Sequence, residues 1–356
     1  MRYVLTITLA LLFLSNFIFA QKIHDLKPVT VSDKKIADTV FGTWKFSVHD
    51  YEFLDNDRLL LLTFERSLEK AKVVLVDASQ KILSTFSLPD EAQQFYRDYM
   101  GFVNVICVDH IYRVSVKNDQ IHLGSLPVED YQTRIMPCID TILSTIYFSN
   151  YQRDYPEFTY YAYNTNDSTY AALKTVTDQE QLKEYNMEYY FLKPKDRVYV
   201  RKLADYYNVD FHRVAATMTG VTNSVYYTPL YAPLFTIHDT VCVFDHYNNA
   251  ILKYDRNNRL VDSVNINYHH PKNWREWKHK LIFDEETSNV YAVYQKNGFY
   301  YLKQIDLYKG QIIASYKLSN QYVENIKVKN GYVYYVYRPF ESLQQQFVYK
   351  ELILND

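Results

Sequence analysis

The sequence predicts an all-β fold, a β-propeller of six blades that carries a small helical insertion. Short runs rich in Val, Ile, Tyr, Phe and Thr, which favour strands, alternate with polar turns along most of the chain. One hairpin unit, a strand, a polar turn and a second strand, recurs five times. Most of the intervals between these units are near the roughly 40–50 residues that one propeller blade occupies.

The recurring hairpins have turns built from Asn, Asp, Ser, Lys and Gly, the residues that hairpins favour. Turns centred on residues 79, 118, 166, 257 and 309 are 39, 48, 91 and 52 residues apart. The longest interval therefore holds either two blades or one blade with an insertion. The five hairpins cover residues 73–86, 112–123, 160–173, 252–264 and 303–315.

Two more strand candidates precede each hairpin, which completes the four strands of a blade. They lie at 234–238 and 241–245 before the fourth hairpin, and at 280–284 and 290–294 before the fifth.

The C-terminus supplies only three strands of a sixth blade, at 322–328, 332–337 and 346–354. The segment 40–47 precedes the first blade and has no other partner. We predict that this segment adds the missing strand and closes the ring, because closure removes an exposed sheet edge.

Residues 177–225, within the longest interval, change from the strand period to a helical period. Residues 177–180 (Thr, Asp, Gln, Glu) have the spacing of a capping box, and Pro194 interrupts the segment. One or two short helices packed on the ring are expected. The alternative is that residues 196–200 form an ordinary strand and that the ring has seven blades. The helical spacing is carried by Leu182, Tyr185 and Tyr189, and then by Val200, Leu203, Ala204 and Tyr207.

The first twenty residues resemble a secretory signal peptide, with Arg2, an apolar run over 4–14 and Ala20 at the cleavage position. Ile18 is larger than the residue usually found three positions before the cut, so an uncleaved anchor remains the alternative. The expected organisation is a signal peptide (1–20), a lead-in (21–39) and one propeller domain (40–356). No later segment has the length of a membrane span, and the mature protein is expected in the periplasm or outside the cell.

The composition argues against a nucleic-acid binder, because 39 Lys and Arg against 41 Asp and Glu leave a net charge of −2. The hydrophobic fraction of 48% and 37 tyrosines provide ample core. Cys107, Cys138 and Cys242 lie in apolar stretches and are interpreted as buried thiols, although a disulfide between two of them remains open.

The hairpin repeats, the closing strand and the signal peptide together resemble the secreted six-bladed β-propellers of the NHL-like and TolB-like group. The resemblance covers roughly residues 40–354, and only the turn at Gly310 has the glycine that such repeats often place there. Propellers of this kind include enzymes, ligand binders and assembly scaffolds, so the resemblance implies a fold and leaves the function open.

The two faces of the predicted ring differ in the length of their loops. In a blade with strands A to D, the A–B and C–D turns lie on one face, and the B–C and D–A loops lie on the other. We call the second face the long-loop face and expect any binding site there, since function concentrates in long loops on a rigid scaffold. Its long connections are predicted at 65–70, 89–95, 149–157, 177–225, 267–278 and 338–345.

The loop over residues 268–279 holds two of the three tryptophans and three of the ten histidines. Its candidate ligand- or partner-binding residues are His269, His270, Trp274, Arg275 and Trp277, an aromatic platform with polar partners that suits a sugar or a peptide. The alternative is that the two tryptophans pin a helical turn onto the ring. No metal site is assigned to the histidines, because adjacent side chains on an extended chain point in opposite directions.

The sequence contains no hydrolase, zinc-protease, phosphate-loop or EF-hand signature. The expected function is therefore an exported, non-enzymatic module that binds a protein or a glycan and needs no cofactor. The alternative is a Ca²⁺-assisted hydrolase or lyase near the ring axis, as the resemblance to lactonase-like propellers implies. Carboxylates and histidines converging on the axis would favour the enzyme, and an apolar or tyrosine-filled channel would favour the scaffold. Neighbouring His and Asp residues that prompt the alternative are His24-Asp25, His49-Asp50, Asp109-His110, His238-Asp239 and Asp245-His246.

Overall fold

A computed structural model describes residues 37–342 and 345–353 of the chain. In this part of the protein, strands form six antiparallel sheets of four strands each. The first strands of blades contact one another, as β2 with β6, β10 with β14 and β18 with β22, and so form the inner ring. The protein is a six-bladed β-propeller, as the sequence predicts.

The first strand in the chain is β1 (Asp38–Phe41). Blade 1 contains β2 (Ser47–Phe53), β3 (Arg58–Phe64), β4 (Lys72–Asp77) and β5 (Ile82–Ser87). Blade 2 contains β6 (Ala92–Arg97), β7 (Val103–Cys107), β8 (Ile111–Lys117) and β9 (Gln120–Leu126). Blade 3 contains β10 (Cys138–Ile142), β11 (Thr145–Ser149), β12 (Glu157–Asn164) and β13 (Tyr170–Thr177).

Blade 4 contains β14 (Leu234–Ile237), β15 (Thr240–Asp245), β16 (Ala250–Tyr254) and β17 (Leu260–Asn265). Blade 5 contains β18 (Trp277–Asp284), β19 (Asn289–Lys296), β20 (Phe299–Ile305) and β21 (Ile312–Gln321). Blade 6 contains β22 (Glu324–Lys329), β23 (Tyr332–Tyr337) and β24 (Phe347–Leu352), with β1 as its outer strand.

Strand β1 closes the ring by pairing antiparallel with β24, with Thr39 opposite Tyr349. The prediction that the N-terminal segment completes the last blade is confirmed, but its bounds of 40–47 were too late. Pairing ends at Phe41, and the chain then crosses to the inner strand of blade 1. The crossing needs Gly42, because a Cβ at this position would lie 2.6 Å from the Phe347 ring.

The insertion contains three helices, α1 (Gln179–Phe191), α2 (Pro194–Tyr207) and α3 (Phe211–Thr219), where the sequence predicted one or two. Asp178 caps α1 by accepting a hydrogen bond from the Gln181 backbone N–H at 3.0 Å, so the cap lies one residue later than Thr177, the first residue of the predicted capping box. Pro194 starts α2 and does not break a helix, because the first turn needs no intrahelical N–H there. Residues 196–200 are helical, and the seven-blade alternative is wrong.

Hydrophobic clusters fill the spaces between neighbouring blades, and tyrosines take a large part in them. The Tyr51 hydroxyl donates to the Asn325 carbonyl at 3.0 Å and so joins blades 1 and 6. The Tyr160 hydroxyl donates to the Ala232 carbonyl at 2.6 Å and joins blade 3 to the segment before blade 4. Such side chains bury a ring and still satisfy a polar group, which accounts for part of the tyrosine excess.

All three cysteines are unpaired in the described structure. Cys107 and Cys242 are buried, as predicted, and Cys138 is half-buried. Burial raises the pKa of the Cys107 thiol to about 12 and that of Cys242 to about 11.

The signal peptide and most of the lead-in fall outside the described residues. In the part of the chain that the structure covers, none of the helices combines the length and the apolar character that crossing a membrane requires.

Candidate functional site

The long connections predicted from the sequence do join B–C or D–A strands, so they share the long-loop face. Two details differ. The predicted loop 89–95 is largely strand β6, which starts at Ala92. A D–A loop between β9 and β10 was missed. It contains two short helical turns, Val128–Asp130 and Tyr131–Ile135, whose few residues carry too little periodicity to be recognised.

Trp277 begins β18 and is 5% exposed. Its ring packs at centroid distances of 5.7 Å from His246, 5.8 Å from Tyr268 and 5.6 Å from Tyr294. We call these four residues and Tyr231 the aromatic cluster. It fills the space between blades 4 and 5, so Trp277 acts as an anchor of the loop and presents no open platform.

Trp274 differs sharply from Trp277, since it is 73% exposed. It lies in a single helical turn, Trp274–Glu276, whose start is capped by Asn273. The Arg275 guanidinium lies 5.3 Å from the centroid of its ring. The two tryptophans therefore do not form one surface: Trp277 is in the core, and Trp274 with Arg275 faces solvent.

His269 and His270 lie together, with ring centroids 4.0 Å apart. Each Nε2 is 2.9 Å from Asn249 Oδ1, which only accepts hydrogen bonds. The expectation that these side chains point apart is wrong, because the chain turns here: the His270 N–H donates to the Asn267 carbonyl at 3.1 Å. No group of three or more His, Cys, Asp or Glu within residues 37–342 and 345–353 is placed to hold a metal ion.

His246 is the buried histidine of the aromatic cluster. Its Nδ1 donates to the Tyr231 carbonyl at 2.9 Å, so its Nε2, 2.8 Å away, accepts from the Tyr268 hydroxyl. Burial lowers the pKa of His246 to about 4 and that of His269 to about 3. Both are therefore neutral near pH 7. Sequence reasoning missed the contact between His246 and the loop, because only packing between blades brings these residues together.

Among the described residues, the sequence neighbours Asp245-His246 and Asp109-His110 do not pair with each other. Asp245 lies 3.1 Å from Lys174, while His246 bonds to the Tyr231 carbonyl and the Tyr268 hydroxyl. His110 Nδ1 lies 2.6 Å from Asp90 and does not pair with its neighbour in sequence. The pair His24-Asp25 lies outside the described residues.

A cavity of about 440 Å³ lies at the start of four inner strands, β2, β6, β18 and β22, which is the long-loop end of the central channel. Its lining is neither apolar nor tyrosine-filled, and Glu324 is its only carboxylate. This end of the channel therefore shows neither the converging carboxylates and histidines expected of the enzyme nor the apolar or tyrosine-rich lining expected of the scaffold. The lining residues are His49, Gln93, Gln94, Lys278, Lys280, Val293, Tyr300, Val323, Glu324, Asn325 and Ile326.

The helices of the insertion carry many exposed apolar side chains. Tyr189, Val200 and Ala215 form a small buried core between the helices, so this core does not include the exposed residues. On α1, Met187, Tyr190 and Phe191 are exposed at helical spacing. We define the insertion patch as Met187, Tyr190, Phe191, Val198, Tyr199, Tyr206, Tyr207, Val209, Met218, Val225 and Tyr226, all of them exposed.

Comparisons with known proteins show similarity in fold alone. No protein-family model matches the chain, and no curated protein matches it. A luciferin-regenerating enzyme is 10% identical, with 88% of this chain and 94% of that chain covered and a TM-score of 0.41. An inactive virginiamycin B lyase from Staphylococcus aureus with quinupristin is 9% identical (84% and 80% covered, TM-score 0.38). BamB from Moraxella catarrhalis is 10% identical (88% and 85% covered, TM-score 0.31).

Proposed function

We propose that this protein is an exported, non-enzymatic β-propeller that binds a protein partner through its long-loop face, with the insertion patch as the main contact. The observation that carries this proposal is the exposure of the patch, with Phe191 at 74% and Tyr206 at 80%. A large number of exposed aromatic and aliphatic side chains within one insertion is typical of protein interaction surfaces.

The composition of the patch favours a protein over a glycan. Sugars stack on flat aromatic rings with polar groups beside them, whereas this patch also exposes the aliphatic side chains of Val198, Val209 and Val225, which suit a protein. The cations nearest the aromatic rings are also engaged within the insertion. Arg197 donates to the carbonyls of Leu192 and Tyr190, and Arg201 lies 5.6 Å from the Tyr189 ring centroid. Aliphatic and aromatic surface together suits the apolar side of a partner protein.

The loop residues take supporting roles in this proposal. Trp274, with Arg275 stacked on it, adds a second exposed contact on the same face. His269 and His270 hold the loop through Asn249, and Trp277 anchors it in the ring. Export rests on the signal-like segment 1–20, and protein recovered from the native source should begin at Gln21.

Site-specific photo-crosslinking from within the patch tests the proposed surface. A photo-reactive phenylalanine replaces Tyr206 in the full chain, and a matched variant carries it at Tyr308, which is 85% exposed in a C–D turn on the opposite face. A protein captured only from position 206 is then purified, and its affinity is measured by calorimetry. The substitutions Phe191→Ser and Tyr206→Ser together should weaken it by about a hundredfold, while Tyr308→Ser leaves it unchanged.

Equal affinity for all variants, or capture from both positions alike, would contradict the proposed surface. A glycan that binds the wild-type chain and is lost on Trp274→Ala, with no protein captured, would assign the face to sugar recognition instead.

A further inference from the structure

The cavity at the long-loop end of the channel coincides with irregularities in the inner strands. In β2 the pairing register shifts between Val48 and Asp50, and His49 between them lines the cavity. In β6 it shifts between Ala92 and Gln94, which leaves Gln93 out of the ladder. The pairing register also shifts around Lys278 to Lys280 in β18 and around Asn325 and Ile326 in β22, which leaves these residues out of the ladder.

These bulges change which side chains face the axis. A regular strand would send Gln93 and Gln94 to opposite faces, yet both line the cavity. His279 and Asn325 have φ angles of 48° and 50°, in the left-handed region that residues other than glycine rarely adopt. The inner strand β14 of blade 4 pairs without any shift, so a blade of this ring can form without a bulge. The inner strand β10 of blade 3 is shifted between Cys138 and Asp140, but its residues do not line the cavity. Strained bulges gathered around one cavity are typical of a binding site.

The cavity has an excess of free positive charge. Among the ion pairs of the described residues, none includes Lys278 or Lys280, and the Lys280 ammonium has only a 3.4 Å contact with the Ile326 carbonyl. The one lining carboxylate, Glu324, already accepts a hydrogen bond from the Gln346 amide at 2.9 Å. The nearby Lys327 has carboxylate partners of its own, Glu52 at 2.7 Å and Asp50 at 3.9 Å.

Protein surrounds Lys280 on several sides although its side chain is exposed to the cavity. This burial lowers the pKa of Lys280, and repulsion from Lys327 lowers it further, while Asp50 acts in the opposite direction. An anion inside the cavity would relieve both costs, because it would add negative charge where two lysines face a single lining carboxylate, Glu324.

We propose that this cavity binds a small organic anion. Its carboxylate or phosphate oxygens accept hydrogen bonds from Lys278 and Lys280, and its apolar part rests against Val293, Tyr300 and Val323. The Gln93 amide adds a neutral donor and acceptor to the lining, and Asn325 adds its Oδ1, while its Nδ2 donates to the His49 carbonyl at 2.6 Å. The site lies on the same face as the insertion but is lined by blades 1, 2, 5 and 6, whereas the insertion joins blades 3 and 4. It does not depend on a protein partner.

Calorimetric titration of the full chain tests the charge class of the ligand. Benzoate and phenyl phosphate are the anionic probes, inorganic phosphate lacks the apolar part, and benzylammonium reverses the charge. At least one anionic probe should bind saturably, and inorganic phosphate should bind more weakly. Lys278→Gln and Lys280→Gln should each weaken binding by about tenfold. Lys272→Gln, in the exposed part of the preceding loop, should leave it unchanged.

Lys280→Arg keeps the charge and should retain binding, which separates the loss of charge from a failure to fold. The inference is overturned if neither anionic probe binds, if benzylammonium binds as tightly, or if the glutamine variants bind like the wild type. Phe191→Ser should not affect these titrations, so the partner surface and the anion site can fail separately.

Discussion

The Lys327 ammonium lies 2.7 Å from Glu52 Oε2, although 275 residues separate the two in the chain. The pair joins inner strand β22 of blade 6 to inner strand β2 of blade 1. Arg97 from blade 2 approaches the other oxygen of Glu52 at 3.2 Å. Burial alone would raise the pKa of Glu52, but Lys327 and Arg97 together lower it below its usual range. Three blades thus share one buried carboxylate at the seam where the ring closes.

Lys327→Met should lower the free energy of unfolding by about 2 kcal/mol, less than the ~3–5 kcal/mol of a fully orphaned buried charge, because Arg97 still compensates Glu52. The difference in unfolding free energy between the wild type and Lys327→Met should be largest near pH 7 and shrink in acid, since protonation of Glu52 removes its attraction to Lys327 in the wild type as well. Urea unfolding at several pH values measures this difference. Lys72→Met, in the exposed pair with Glu65, is the control and should change little. Equal losses in the two variants would refute the role of the seam.

Removal of the closing strand should open the ring. A chain that begins at Ala37 keeps β1, whereas one that begins at Ser47 leaves the edge of β24 unpaired. The shorter chain also loses Phe41, which is 2% exposed and alone contributes about 2–3 kcal/mol through burial. We expect a lower melting temperature and association through the free edge, as seen by light scattering. Identical melting and a monomeric shorter chain would show that closure does not depend on β1.

Stability should fall as the pH drops below that at which free histidine titrates. The folded pKa of His246 is about 4, below the unfolded value, so the unfolded state binds more protons and gains relative stability between about pH 6.5 and 4. The full effect for this residue is about 3 kcal/mol. His246→Gln should flatten the dependence of unfolding free energy on pH across this window, whereas His122→Gln, on an exposed strand position, should not. Parallel curves for His246→Gln and the wild type would exclude this origin.

Two glycines with similar backbone angles should respond very differently to alanine. Gly310 has φ +68°, and a Cβ there would lie 2.0 Å from the Asn265 carbonyl oxygen. Gly220 has φ +72°, and nothing lies within 4 Å of its Cβ position. Gly220→Ala should cost only the left-handed strain of about 1–2 kcal/mol. Gly310→Ala should lower the free energy of unfolding by clearly more, because the turn that holds Gly310 and the backbone at Asn265 must also move apart. Denaturant titration of both variants measures the two losses in unfolding free energy. Equal losses would mean that the turn at Gly310 can move away from Asn265 at no energetic cost.

Much of the architecture could be predicted because it is local in sequence. Strand propensity, turn residues and the hairpin period each depend on a few consecutive residues, and all five hairpins lie where they were expected. Boundaries were less exact where tertiary contacts decide them. Strand β1 ends at Phe41, next to Gly42, whose Cβ position is taken by the Phe347 ring, and nothing local in the sequence marks that contact.

The candidate site shows the limit of local reasoning more plainly. Trp274 and Trp277 look equivalent in sequence, yet one is exposed and the other is buried between blades 4 and 5. His269 and His270 were expected to diverge, but a turn brings both to Asn249. Burial between blades and the direction of a turn depend on the whole ring.

The sequence by itself predicted a closed ring of four-stranded blades with a helical insertion on one face, and it left a seventh blade open until the structure showed residues 196–200 to be helical. The periods of strands and helices are short-range properties, and they survive in the linear pattern of apolar residues. Only the tertiary structure decided which side chains meet at the axis and which remain in solvent. The cavity collects residues from position 49 to position 326 by means of strand bulges. A bulge shifts the register between two paired strands, so it belongs to the pair and cannot be read from either strand alone.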